Sequence, residues 1–316
     1  MTAIDLPDVG IIISSYNHAA FLDTAIRSCM DQDYEGRIQV LAIDDCSTDG
    51  SVAALRKWMS MPLPPNRTFD AIFKTENRGI QDSIQVGIES CSCSVIQLLA
   101  DDDWLAPEKI RLQVLTLNAE SCDCVFSAGY RVDAKGAIRP LRHEAFARAV
   151  ERGRSAEMVQ LQDWGGPLLQ SALFRRAVVE ESAGVRKHFR SDDWAFAIHL
   201  HRNYRVRFIP ERTWYYRVHQ ESTHIKYWST LPMRVEVIAE MVEPELRTRA
   251  LAGLLASIGM YRLNERSTLS AAKYFLASVA LDPKLYVFRR LAESWILNRF
   301  HRRRRSPQNR SGRTSL

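Results

Sequence analysis

Three consecutive aspartates, Asp101, Asp102 and Asp103, follow the apolar run Val95-Ile96-Gln97-Leu98-Leu99-Ala100, and Trp104 follows them. Adjacent carboxylates repel one another, and a hard divalent cation carrying phosphate oxygens offsets that repulsion well. A solvated acidic loop after a strand is the plain alternative. A second acidic pair, Asp44-Asp45, closes the run Ile38 to Ile43, and Ser14-Ser15-Tyr16-Asn17 closes the run that starts at Val9. If these runs are parallel strands, all three polar clusters fall on one rim of a sheet, where open α/β folds bind their ligands. Two acid clusters on one rim are hard to explain by packing alone.

The elements that would hold this rim alternate at short intervals. Strand signals at Val9–Ser15, Ile38–Ile43, Phe69–Phe73, Ser94–Ala100 and Cys122–Val132 are separated by helical signals at Ala19–Met30, up to Met59, at Ile80–Glu89 and after Pro107. The order β-α-β-α predicts a largely parallel, doubly wound sheet with helices on both faces. The stretch from Gly136 to Pro167 is irregular and charged. Helix is expected at Leu168–Glu181 and Asp193–Arg202, then strand-like runs at Val206–Ile209 and Thr213–Val218. Beyond Thr230 the chain reads as helical, with Pro232, Pro244 and Pro283 marking helix starts. Leu251, Leu254, Leu255 and Ile258 give that part an apolar face at helical spacing.

Length and charge narrow the class. The 316 residues are 46% hydrophobic and 25% charged, the composition of an ordinary globular protein. The formal charge of +6 is local: from His301 onward there are six arginines and no acid, so residues 1–300 are neutral overall. A neutral body gives nucleic acid no basic face. Residues Met1 to Val9 carry acids and a proline where a secretion signal has basic and then apolar residues, and no stretch has the apolar length of a membrane span. A cytoplasmic location is expected. Six cysteines in a chain this long do not form a disulfide framework. Cys91/Cys93 and Cys122/Cys124 alternate along strands, which predicts buried thiols in preference to a zinc site.

Taken in order, these residues resemble the family-2 glycosyltransferases, inverting enzymes of the GT-A fold. Ile12-Ile13-Ser14-Ser15-Tyr16-Asn17 is similar to the family's first strand and nucleotide-pocket loop. Ile43-Asp44-Asp45-Cys46-Ser47-Thr48-Asp49-Gly50 is similar to the second strand and the turn whose carboxylate contacts the base. Asn77-Arg78-Gly79 matches an Asn-x-Gly element, and Asp101-Asp102-Asp103-Trp104-Leu105-Ala106-Pro107 the metal-binding motif with its downstream proline. Asp192-Asp193-Trp194 stands where the family has Glu-Asp, and Tyr216-Arg217-Val218-His219 is similar to its late Tyr-Arg-x-His element. The resemblance covers Val9 to His219. Departures are Ala100, Ile84, Gln85 and His199, at positions where many members have aspartate, arginine, asparagine and arginine.

The resemblance implies a GT-A domain over 1–228 (nucleotide-sugar half 1–132, acceptor half 133–228), a helical extension over 229–300 and a basic tail over 301–316. It implies a nucleotide-sugar donor, most simply a UDP-sugar, held by Ser15, Tyr16, Asn17, Asp44, Asp45, Asn77, Gly79, Asp101 and Arg217, with Asp101 on the ribose. Mn2+ or Mg2+ would sit on Asp102 and His219. Asp193 would be the general base, taking the proton of an acceptor hydroxyl as that oxygen attacks the anomeric carbon; a helix-capping role for Asp192 or Asp193 is the alternative. The acceptor would be a saccharide or a polyprenyl-linked saccharide of surface-polysaccharide assembly. A nucleotidyltransferase would leave Asp193 and His219 without a role, and a degenerate, non-catalytic scaffold subunit is the other reading. Leu285, Phe288, Leu291, Ala292, Trp295 and Ile296 form an apolar stripe flanked by arginines. It either lies on the anionic inner face of a membrane or packs on the body.

Overall fold

The structure, a computed structural model, describes residues 6–141, 147–148, 150–151, 168–189, 193–219, 227–265 and 267–282. Asp192, most of the charged stretch before Pro167 and the apolar stripe with its arginines therefore lie outside the described residues. The chain divides into two compact units, Met1–Val242 and Glu243–Leu316.

In the first unit, β1 (Val9–Ser15), β2 (Ile38–Asp44), β3 (Arg67–Phe73) and β4 (Val95–Ala100) alternate with α1 (Ala19–Met30), α2 (Ser51–Met59) and α3 (Ile80–Ser90). The four strands are parallel in the order β3-β2-β1-β4. All seven residues of β1 are buried, as a strand covered on both faces requires. Leu22, Ala25, Ile26, Cys29 and Met30 form the buried stripe of α1 at helical spacing. Helix α3 comes close to β1 at Gly87, where a Cβ would fall 2.3 Å from Ile12 Cγ2. Only glycine permits that approach.

Beyond β4 the sheet becomes mixed. A short strand β5 (Trp104–Leu105), helix α4 (Lys109–Ala119), β6 (Cys124–Val132), β7 (Ile138–Pro140), β8 (Ala172–Arg175) and β9 (Val206–Arg217) complete the nine strands, in the order β3-β2-β1-β4-β8-β6-β9-β5 with β7 on β6. Two expectations are corrected here. The stretch expected to be helical from Leu168 to Glu181 is a 3-10 turn at Leu169–Ser171, strand β8, and helix only over α5 (Arg176–Glu181). Ala172, Leu173 and Phe174 are fully buried between β4 and β6, and antiparallel pairing to both overrides the local preference. The two strand-like runs after Val206 are one strand, β9, which accommodates its polar middle by shifts of register against β6.

Helices α6 (Ala183–His188), α7 (Asp193–Asn203) and α8 (Tyr227–Met241) complete this unit, and Pro232 lies inside α8 instead of at its start. The second unit contains α9 (Pro244–Asn264), which begins at its proline, and α10 (Thr268–Leu281). They pack on one another, and the Ser278 hydroxyl donates to the Ala252 carbonyl at 2.7 Å. No helix among the described residues is long and apolar enough to cross a membrane. Cys91, Cys93, Cys122 and Cys124 are buried thiols.

Candidate functional site

Register brings the polar clusters together. Ser15 pairs with Asp44 and Ser14 with Ala100, so the carboxyl ends of β1, β2 and β4 finish level on one rim. The chain leaves β1 towards β2 and β3 and returns to β4 on the other side of β1. The strand order thus reverses between β1 and β4, the place where open α/β sheets form a ligand crevice. Two residues just past these strands hold left-handed backbone, Asn17 (φ 56°) and Cys46 (φ 65°), and the loops they turn are clasped. Ser47 Oγ accepts the Asn17 N–H at 2.9 Å, and Asn17 Oδ1 accepts the Thr48 N–H at 2.8 Å. Asp49 ties the two following helices by accepting the N–H groups of Ala19 and Ser51. Tyr16, 43% exposed, stands out from this loop.

The pair after β2 divides its tasks. Asp45 is buried and accepts three protein donors: Lys74 Nζ at 2.5 Å, and the N–H groups of Arg78 at 2.9 Å and Gly79 at 2.7 Å. It therefore fixes the turn into α3, where Gly79 has φ 88°, a conformation that asks for glycine. Lys74 also meets Asp82 at 2.6 Å. Asp44 is equally buried, yet only its Oδ2 is used, by the Ser47 N–H at 3.0 Å. Its Oδ1 has no donor among the described residues. A buried acceptor without a donor costs about 1–3 kcal/mol, so it suits a ligand N–H. Asn77 is exposed beside this turn.

The three aspartates after β4 divide in the same way. Asp103 is fully buried; Gln170 Nε2 donates to Oδ2 at 2.5 Å and the Arg217 N–H to Oδ1 at 2.8 Å. Burial, with the Asp102 charge beside it, holds its pKa well above the usual carboxylate range. Asp101 is also buried, which raises its pKa, while His18 pulls it down. Its Oδ1 lies 2.7 Å from His18 Nδ1 and its Oδ2 accepts the Tyr16 N–H at 3.1 Å. Both of its oxygens thus tether the loop after β1. Asp102 faces the crevice, its Oδ2 2.9 Å from His219 Nε2.

Arg217 Nε donates to the Asp102 carbonyl at 2.9 Å, and its guanidinium lies over the rings of Trp104 (4.6 Å) and Phe21 (4.7 Å). Asp193 opens α7, and its Oδ2 accepts the Leu169 N–H at 3.2 Å. Since the next residue, Gln170, holds Asp103, the turn Leu169–Ser171 ties Asp193 to the aspartate run. Burial raises the pKa of Tyr216, and the charges of Asp103, Asp102 and Asp193 converge on its hydroxyl and raise it further. Ile84 is buried in α3, and Gln85 bonds Glu89 and Arg186. Burial lowers the pKa of His199 on α7.

The crevice thus gathers Ser15, Tyr16, Asn17, Asp44, Asp101, Asp102, Arg217 and His219, with Asp45 and Gly79 shaping its α3 side. Sequence reasoning left His18 unassigned and did not single out Gln170 or Lys74. Lys74 follows β3 directly, a position that could have flagged it. Gln170 carried no local signal.

A sequence model described as glycosyl transferase family 2 matches residues 10–182. A putative teichuronic acid biosynthesis glycosyltransferase, TuaG of Bacillus subtilis, is 25% identical over 129 residues, 41% of this chain and 49% of that protein. The chain spans less than half the length of the curated relatives it matches first. Among solved structures, the mannosyltransferase PcManGT from Pyrobaculum calidifontis, in complex with GDP-Man and Mn2+, superposes with a TM-score of 0.59 at 21% identity, covering 92% of this chain and 80% of that one. S. aureus TarS 1–349 in complex with UDP-GlcNAc superposes with a TM-score of 0.57 at 14% identity, covering 86% and 81%. These likenesses are of fold.

Proposed function

The chain belongs to glycosyl transferase family 2 and has the GT-A fold, and from that premise we propose that it moves a sugar from a nucleoside diphosphate, UDP in first place, to a saccharide hydroxyl with inversion. The observation that supports this reading is the tie through Leu169–Ser171, which links Asp193 to the aspartate run that contains Asp102, itself paired with His219. Asp44 Oδ1 would accept the base N–H, and Tyr16 would stack on the ring. Arg217 would bind the diphosphate, its guanidinium aligned by Trp104 and Phe21. The UDP-sugar complex of TarS supports a uridine donor, although GDP-Man in PcManGT keeps the base open to test.

Asp193 would receive the acceptor proton. The acceptor oxygen then forms its bond to the anomeric carbon, and the carbon–oxygen bond to the diphosphate breaks with its electron pair going to the diphosphate. Asp102 and His219 would hold a divalent cation, and a half-buried carboxylate paired with an imidazole is a donor set that fits one. Bound there, a cation would act as a Lewis acid on the diphosphate. The likeness to TuaG supports an acceptor in surface-polysaccharide assembly. Attachment of the C-terminal arginines to an anionic inner membrane face would suit a lipid-linked acceptor.

Nucleoside-diphosphate release from UDP-, dTDP- and GDP-sugars, with Mn2+ or with chelator, tests the proposal. Metal-dependent release from one donor, lost in Asp102→Ala, is expected. Release of sugar 1-phosphate in place of the nucleoside diphosphate would point to nucleotidyl transfer. Donor binding without turnover on any saccharide would point to a scaffold.

A further inference from the structure

His18 stands at the crevice and has no task in the proposed reaction. It precedes α1, and its position is set from two sides. Behind it, Asn17 is clasped by Ser47 and Thr48. Beside it, the buried Asp101 takes Nδ1 at 2.7 Å while its other oxygen is pinned by the Tyr16 N–H. The ring faces His219, with centroids 5.2 Å apart and planes at 89°. One ligand atom each of His18, Asp102 and His219 lies within 4.8 Å of the other two.

Ligands about 2.1 Å from a shared ion stand at most about 4.2 Å apart, so this trio needs only a small closure to hold one cation. The Asp101 contact adds chemistry to the spacing. A carboxylate on Nδ1 fixes that nitrogen as the N–H, makes Nε2 the ring's electron-pair donor and raises its basicity, the arrangement that commonly backs a metal-bound histidine.

We propose that His18, oriented by Asp101, is a third protein ligand of the cation assigned to Asp102 and His219, and that this second imidazole selects Mn2+ over Mg2+. The inference rests on the proposed cation site. Imidazole nitrogen suits first-row transition ions, whereas Mg2+ prefers an all-oxygen octahedron. Asp101 is then a positioning residue and His18 a specificity-determining one.

Pulsed electron paramagnetic resonance on the full chain with Mn2+ and UDP counts the nitrogens on the ion without turnover. Two imidazole nitrogens are expected in the native protein and one in either His18→Gln or His219→Gln. Competition calorimetry should show the preference for Mn2+ over Mg2+ falling by about tenfold in His18→Gln and by a smaller factor in Asp101→Asn. A single nitrogen in the native complex would overturn the role of His18 while leaving the cation site standing. That count needs no variant to fold. Failure of the native protein to bind Mn2+ with UDP present would overturn the site itself, and the inference with it.

Discussion

The acid clusters at the ends of β2 and β4 make an instructive pair. After β2, Asp45 is saturated by Lys74 and two backbone N–H groups, and its neighbour Asp44 keeps an oxygen without a donor among the described residues. After β4, Asp101 and Asp103 are turned inward onto His18, Tyr16, Gln170 and Arg217, and Asp102 between them faces His219. In each run some carboxylates build the loop, and the proposed function gives the remaining one a ligand to meet. Repulsion between adjacent charges is offset twice, by protein donors on the inner residues and, on our reading, by ligand groups on the outer ones.

The difference between inner and outer acids can be broken by substitution. The largest effect is expected from the outer acids and the proposed base, Asp193. Asp102→Asn should lower sugar transfer by about 10³-fold while the melting temperature stays close to native, and Asp193→Asn by about 10²–10⁴-fold with donor affinity kept. Initial rates with calorimetry on the same samples measure both. An equal loss in Asp193→Asn of donor binding would reduce that residue to a structural cap.

Next come the inner acids, whose loss should appear in stability. Asp103→Ala strands the Gln170 amide and the Arg217 N–H and should cost about 2–4 kcal/mol in denaturant unfolding. Within the β2 pair, Asp44→Asn should weaken nucleotide binding by about tenfold without a change in stability. Asp45→Ala should instead cost about 1–3 kcal/mol by releasing Lys74 and the turn at Gly79. If both members of a pair behaved alike, the division of tasks would be lost.

The smallest effect sharpens the comparison with a buried cation away from the rim. Lys109 is wholly buried against Gln113 and the Ser171 carbonyl, and desolvation holds its pKa well below the ordinary 10.5. The unfolded chain therefore binds a proton that the fold excludes, and this group makes stability rise with pH between its folded value and 10.5. The slope is at most about 1.4 kcal/mol per pH unit. Thermal melts from pH 7 to 10 should show a flatter profile in Lys109→Met than in the native chain.

Much of this was legible in the sequence because it is local. Apolar runs ending in Asp44-Asp45 and Asp101-Asp102-Asp103 announce parallel strands and a ligand rim, and the β-α alternation sets their order. What escaped is what distant pairing decides. Whether an aspartate faces in or out depends on Gln170, 67 residues from Asp103, and on Arg217, 114 residues away. His18 had no visible role because Asp101, which orients it, is 83 residues distant. Strand β8 read as helix because its strand character comes from β4 and β6 on either side.

The division of tasks within each acid run is tested most directly by UDP titration into the native chain, Asp102→Asn, Asp44→Asn and Asp103→Asn, with and without Mn2+, alongside melting curves of the same samples. We predict that the native chain binds UDP more tightly with Mn2+ and that Asp102→Asn loses the metal effect alone. Asp44→Asn should lose affinity with or without metal, and only Asp103→Asn should melt early. Native-like, metal-enhanced UDP binding in Asp102→Asn, or early melting in every variant, would contradict the account.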